Sequence, residues 1–229
     1  NLEDISLLQG SKYVQSIACQ HFNKVLHLLN SGKLVLFCGT GCQIAGLRSF
    51  LKNEYENLLT IELVCHGVPS PVLFEKYLLW LGKRAGGKVT EYKFRSKELR
   101  PTGEHSQFYY IVDGKKFIGE SYEDPYYGSF LQGRTLRPSC YQCRFKGQER
   151  NGDITIGDFW GIEKSHPDFS IKHGSCLVMV NTEKGIQYFS EIKEQLRFIE
   201  ATYEEAINRN PSVYKSCNSP LRPVNYNAL

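Results

Sequence analysis

Cys140 and Cys143 stand two residues apart in Cys140-Tyr141-Gln142-Cys143. That spacing lets both thiolates bend toward one metal atom, one cluster edge or each other. The pair alone therefore suits zinc, iron–sulfur or dithiol redox chemistry. No second CxxC is present, so a self-contained zinc ribbon is not expected and further ligands must come from distant cysteines. Cys42 and Cys65 hold equivalent places, each in the turn after an apolar run that reads as a buried strand. In an open parallel sheet such turns line one edge, and ligands bind there. Four thiolates from three loops, Cys42, Cys65, Cys140 and Cys143, would make a cage for a 4Fe–4S cluster, with zinc in the same cage as the chemical rival.

Other residues around these turns carry polar chemistry. Gly39-Thr40-Gly41-Cys42-Gln43 offers close backbone approach and the free N–H groups of a following helix, which suits a phosphate; a plain strand–helix turn reads equally well. It is neither a P-loop nor a GxGxxG fingerprint. Lys12 can meet a phosphate and Tyr13 can flank an aromatic ring, or they are a surface lysine and a half-buried tyrosine. His66, beside Cys65, can touch a flavin or give a proton, or it is a satisfied turn histidine. Asp158 follows a strand and can bond to a flavin or ribose, or cap the next segment. Cys38, four residues before Cys42, can line the site but reads more readily as a small core residue; Cys176 reads as core, and Cys19 and Cys217 carry no partner signal.

The whole chain bounds these readings. An even count of eight cysteines permits a disulfide framework, but 229 residues with 41% hydrophobic content can bury an ordinary core without one. Reduced thiols in a cytoplasmic protein are the expectation, since the start, Asn1-Leu2-Glu3-Asp4, has no features of a secretion signal. A net charge of +4, from basic residues that form no long run, is too small for a nucleic-acid footprint, though it suits a pocket for an anionic cofactor. No apolar stretch approaches a membrane span.

The elements that must position these residues follow from periodicity. Residues 22–29 read as a helix ended by Gly32, 33–38 as a strand and 43–51 as a helix. The unit repeats: a strand over 58–64, a turn at Cys65-His66-Gly67, then Ser70 as N-cap and Pro71 opening a helix over 72–81. Strands at 89–94, 108–112 and 116–118, with Asp113-Gly114 as a hairpin turn, make an antiparallel subregion at about 88–120. A short helix at 126–131, strands at 153–158 and 176–180, a helix over 183–195 and a Thr202…Glu205 capping box complete the reading. The tail beyond Asn210 reads as irregular. The expected fold is α/β: one domain over 1–229, with a mixed, partly parallel sheet, flanking helices and an antiparallel β insertion.

Three segments in this order resemble one family: Gly10-Ser11-Lys12-Tyr13-Val14-Gln15-Ser16, Phe37 to Leu47, and Cys140-x-x-Cys143 leading into Gly152 to Gly161. It is the C-terminal region of the coenzyme F-420 hydrogenase/dehydrogenase beta subunits, and Leu63 to Pro71 resembles its bacterial branch. The resemblance implies an iron–sulfur flavoprotein oxidoreductase with a 4Fe–4S cluster, bound FAD and a deazaflavin or another small redox substrate. It places cluster ligation on Cys42, Cys65, Cys140 and Cys143, and flavin contacts near Lys12, Tyr13, Gly39, Thr40, Gln43 and Asp158, with His66 as the candidate catalytic group. A redox partner protein or a ferredoxin-like domain is the implied partner. A zinc-bound or cofactor-free accessory protein beside polysaccharide-synthesis enzymes is the competing reading. One departure stands out: the family usually has proline before Cys42, where this chain has Gly41.

Overall fold

The computed structural model describes residues 4, 10–96, 107–169 and 174–219. Residues 97–106 of the expected antiparallel subregion and 220–229 of the tail lie outside them. In chain order the elements are helix α1 (Phe22–Asn30), strand β1 (Val35–Thr40), α2 (Gly41–Leu51), β2 (Leu58–Leu63), α3 (Pro71–Ala85), β3 (Val89–Ser96), β4 (Gln107–Val112) and β5 (Lys115–Glu120). Then follow α4 (Pro125–Leu131), β6 (Ile154–Asp158), α5 (Ile162–Ser165), β7 (Cys176–Val180), α6 (Glu183–Ile192) and α7 (Tyr203–Asn208). They fall into two compact units. One comprises Ile17–His66 and Gln142–Cys217; the other draws on Asn1–Ser16, Gly67–Tyr141 and Asn218–Leu229.

The first of these units is built on a four-stranded sheet of order β1-β2-β6-β7. β1 and β6 both run parallel to β2, and β7 runs antiparallel to β6. The expected mixed, partly parallel sheet is therefore present. α1 and α2 cover one face: Val25, Leu29, Leu47 and Leu51 pack on the register partners Val35 and Leu58. Each such side chain stabilises the fold by about 1.5–3 kcal/mol relative to exposure. Phe159, Ile162, Leu177, Ala206 and Val213 form a second cluster of this unit.

The opposite face is exposed in places, although Ile154 on it is buried. Leu36 on β1, Leu63 on β2 and Val178 on β7 point there and are 60%, 39% and 39% exposed. Apolar runs in parallel strands usually mean cover on both faces; here β1 is an edge strand with one bare face. Cys38 shares that face and is exposed, as is Cys176. Reading both as core residues is corrected: continuous apolar sequence does not say which face is covered.

The other unit holds the antiparallel sheet β3-β4-β5. Asp113 and Gly114 both have positive φ, 47° and 77°, which a two-residue hairpin of matching twist requires. Ser70 caps α3 by accepting from the Val72 N–H at 3.2 Å. Asp124 caps α4 from a fully buried position, its Oδ1 accepting from the Tyr127 N–H at 2.6 Å. Its Oδ2 accepts from the hydroxyls of Tyr77 (2.5 Å) and Tyr92 (2.6 Å). Burial, then the neighbouring carboxylate, pushes both phenols well above the ordinary tyrosine range.

Candidate functional site

Register decides what meets at the sheet edge. Thr40 on β1 pairs with Leu63 on β2, and Leu63 pairs with Ile156 on β6. Cys42, Cys65 and Asp158 each stand two residues beyond this row, so all three leave from the carboxyl edge of adjacent parallel strands. Cys176 pairs with Asp158 and reaches the same edge from the antiparallel β7. The sequence reading missed it because strand direction is invisible in an apolar pentad. None of the eight cysteines is in a disulfide.

The Gly39–Gln43 stretch is not a loop. β1 runs through Thr40 and α2 starts at Gly41, so strand passes into helix directly. Thr40 is the N-cap, and Gln43 closes a capping box by accepting from the Thr40 N–H at 3.0 Å. Cys42 then sits exposed in the first turn of α2, its Sγ 3.2 Å from Thr40 Oγ1. Gly39 is tight: a Cβ there would meet Gln43 Oε1 at 3.0 Å and the Phe37 ring at 3.2 Å.

Gly41 is a glycine for a local reason. A Cβ at this position would lie 2.7 Å from Glu62 Oε1 and 3.0 Å from Phe145 Cβ. Glu62 is fully buried, ion-paired with the almost fully buried Arg150, and its Oε2 accepts from the N–H groups of Asn151 (2.7 Å) and Gly152 (3.0 Å). The departure from proline thus coincides with a buried carboxylate under the first helical turn.

Beside it, Asp153 joins three elements. Its Oδ2 accepts from the Thr60 N–H (2.8 Å) and hydroxyl (2.6 Å), and its Oδ1 from Thr182 Oγ1 (2.9 Å) and Arg48 (3.4 Å). Burial pushes this carboxyl up, but the Thr60 and Thr182 bonds and the Arg48 charge outweigh it and hold the group below the usual carboxylate range.

Loops after the edge are tied to a late segment. Lys146 Nζ donates to the Cys65 carbonyl and, at 2.7 Å, to the Ser212 carbonyl. Ser216 Oγ accepts from the Cys143 N–H at 3.0 Å. His66 Nε2 lies 3.5 Å from Cys217 Sγ. Asn210 Nδ2 donates to the Asp158 carbonyl at 2.8 Å. Lys146, Ser216 and Cys217 had no signal in the sequence, because they act on backbone atoms and a ring dozens of residues away.

The remaining candidates belong to the other unit. Cys140 lies in a 3-10 turn over Pro138–Gln142, its N–H donating to the Arg137 carbonyl at 2.8 Å. Tyr13 packs among Phe94, Tyr127 and Phe130, with ring centroids 4.8–5.5 Å away, and its hydroxyl accepts from Arg95 at 3.4 Å. Lys12 is exposed and donates to the Gly10 carbonyl at 3.2 Å. Among the described residues, no three His, Cys, Asp or Glu side chains converge to hold a single metal ion.

The family model for the C terminus of the coenzyme F420 hydrogenase/dehydrogenase beta subunit matches residues 32–206. The chain belongs to this family. The match spans both strand–helix units, the CxxC pair and β6. It ends before Asn210, so the late segment around Ser212–Cys217 lies outside it. No curated protein is significantly similar to the chain. No helix among the described residues is long and apolar enough to cross a membrane.

Proposed function

We propose that this member of the coenzyme F-420 hydrogenase/dehydrogenase beta-subunit family is an oxidoreductase module that moves electrons between FAD and a 4Fe–4S cluster. Cys42, Cys65, Cys140 and Cys143 are the cluster ligands. Lys12, Tyr13, Gly39, Thr40, Gln43 and Asp158 contact the flavin, and a deazaflavin or another small molecule is the redox substrate. The observation that carries the reading is the shared edge: Cys42 and Cys65 just beyond β1 and β2, and Asp158 at the end of β6, stand at one common offset in the register, in the segment the family covers.

The donor set fits the cluster. None of the four cysteines is held in a disulfide, and Cys42 lies in the first turn of α2. Each ligand of a 4Fe–4S cluster holds a different iron, so its thiolates stand farther apart than ligands closed on one ion. Zinc in the same four-thiolate cage is the chemical rival, which metal analysis separates. When bound, flavin exchanges electron pairs and the cluster single electrons. The chain's own part is to hold and shield: Thr40 steadies Cys42, Lys146 fixes the Cys65 backbone, and His66 can hold a proton beside Cys65.

Anaerobic purification with an absorbance spectrum and metal analysis tests this. The expected result is a yellow-brown protein with flavin and iron. Cys140→Ser should abolish the cluster absorption and Cys217→Ser should leave it. A colourless protein holding zinc, or equal loss in both variants, would overturn the assignment.

A further inference from the structure

The segment after α7 does more than end the chain. Val213 is fully buried in the core cluster with Phe159, Ile162 and Leu177. Its carbonyl accepts from the Gly147 N–H at 3.0 Å and from Arg150 Nη1 at 3.2 Å. Arg150 is the partner of Glu62, which lies under Gly41 at the foot of the Cys42 helix. One turn earlier Asn210, almost fully buried, holds the Asp158 carbonyl. Ser212 shares Lys146 with Cys65, Ser216 holds the Cys143 amide, and Cys217 lies against His66.

The Asp158, Cys65–His66 and Cys143 stretches, and through Arg150 and Glu62 the start of α2, are thus reached by eight consecutive residues, from five points on one strap. A cysteine loop with no such tether opens locally at little cost, since surface turns sit at the low end of the stability range. A lysine bonded to two carbonyls supplies charge-assisted hydrogen bonds, about twice the strength of neutral ones. Nothing in the family match assigns this segment a role, because the match stops at residue 206.

We infer that residues 210–217 are a strap that positions the Cys65 and Cys143 loops, with Lys146 and Ser216 as its positioning residues. This deepens the cluster reading and rests on it only for the use made of Cys65 and Cys143. The strap itself is a property of the metal-free chain. Its geometry also separates the two residues. Ser216 acts on Cys143 alone, whereas Lys146 joins the Cys65 loop to the strap.

The test uses the full chain, freed of metal and handled anaerobically. Two readouts are followed: amide hydrogen exchange, and N-ethylmaleimide alkylation resolved by cysteine with peptide mass spectrometry. Ser216→Ala should speed exchange at the Cys143 amide and alkylation of Cys143 by about tenfold, with Cys65 little changed. Lys146→Met should speed exchange and alkylation around Cys65 and in 211–217, and Lys146→Arg should restore part of the protection. Cys19 and Cys176, outside the strap's bonds, should alkylate at unchanged rates in all variants. If Lys146→Met does not fold, Ser216→Ala and Lys146→Arg decide. Unchanged rates at Cys143 in Ser216→Ala, or a uniform rise at all thiols, would overturn the strap. Wild-type protein that binds no iron on reconstitution yet shows the selective pattern would retain the strap and sink the cluster reading.

Discussion

Gly41 shows how much one missing methyl group can matter. As the first residue of α2 it could hold proline, whose fixed φ suits that position. Glu62 and Phe145 leave no space for even a Cβ. Gly41→Ala should therefore cost about 1–3 kcal/mol of stability, by overpacking against a buried carboxylate that is already ion-paired. A urea titration checks it, and an unchanged midpoint would mean that Glu62 can step aside. The same scale shows what sequence could and could not foresee. The positions of Cys42 and Cys65 at the strand ends were legible because each follows an apolar run, whereas Asp158 closes β6 itself. Lys146 and Ser216 were not, because their partners are backbone groups brought near only by the fold. Cys38 misled for a different reason: a small apolar residue in an apolar run looks buried whether or not anything covers it.

At the scale of elements, periodicity located the strands and helices, and the capping residues Ser70 and Thr202 fixed two helix starts. The direction of β7, the direct passage from β1 into α2, and the side of the sheet left bare depended on pairing and cover, which no local pattern encodes. Two buried carboxylates join elements and can be tested. Asp153 has a folded-state pKa below its unfolded value. Its contribution is complete above the unfolded value, about 3.9, and is lost as pH falls through the folded one. Denaturation midpoints followed from pH 6 downward should fall more steeply for the natural chain than for Asp153→Asn; parallel slopes would count against the network. Asp124 binds α4 to α3 and β3 through Tyr77 and Tyr92. Asp124→Ala removes a cap and takes the acceptor from two half-buried hydroxyls, so it should cost about 2–4 kcal/mol by thermal or chemical unfolding. Tyr92→Phe should cost about 1 kcal/mol, since Tyr77 still satisfies the carboxylate.

For the molecule as a whole, the exposed apolar side chains Leu36, Leu63 and Val178 on one face of the β1-β2-β6-β7 sheet are a liability. Exposed apolar area promotes association. Leu36→Lys combined with Val178→Lys should reduce binding of a hydrophobic dye while changing the unfolding midpoint little, because both side chains already stand in solvent. A large loss of stability would mean that the face is covered in solution.

The order in which the sheet's strands occur along the chain has a consequence for biosynthesis. β1 and β2 leave the ribosome close together, but β2 must wait for Ile154 to meet Ile61, and the last core residue of that sheet's unit is Val213. Such distant pairing makes folding slow and leaves half-made sheets sticky meanwhile. A nascent chain halted before residue 213 should therefore remain protease-sensitive across 17–66, and one released just beyond it should become resistant there in a single step.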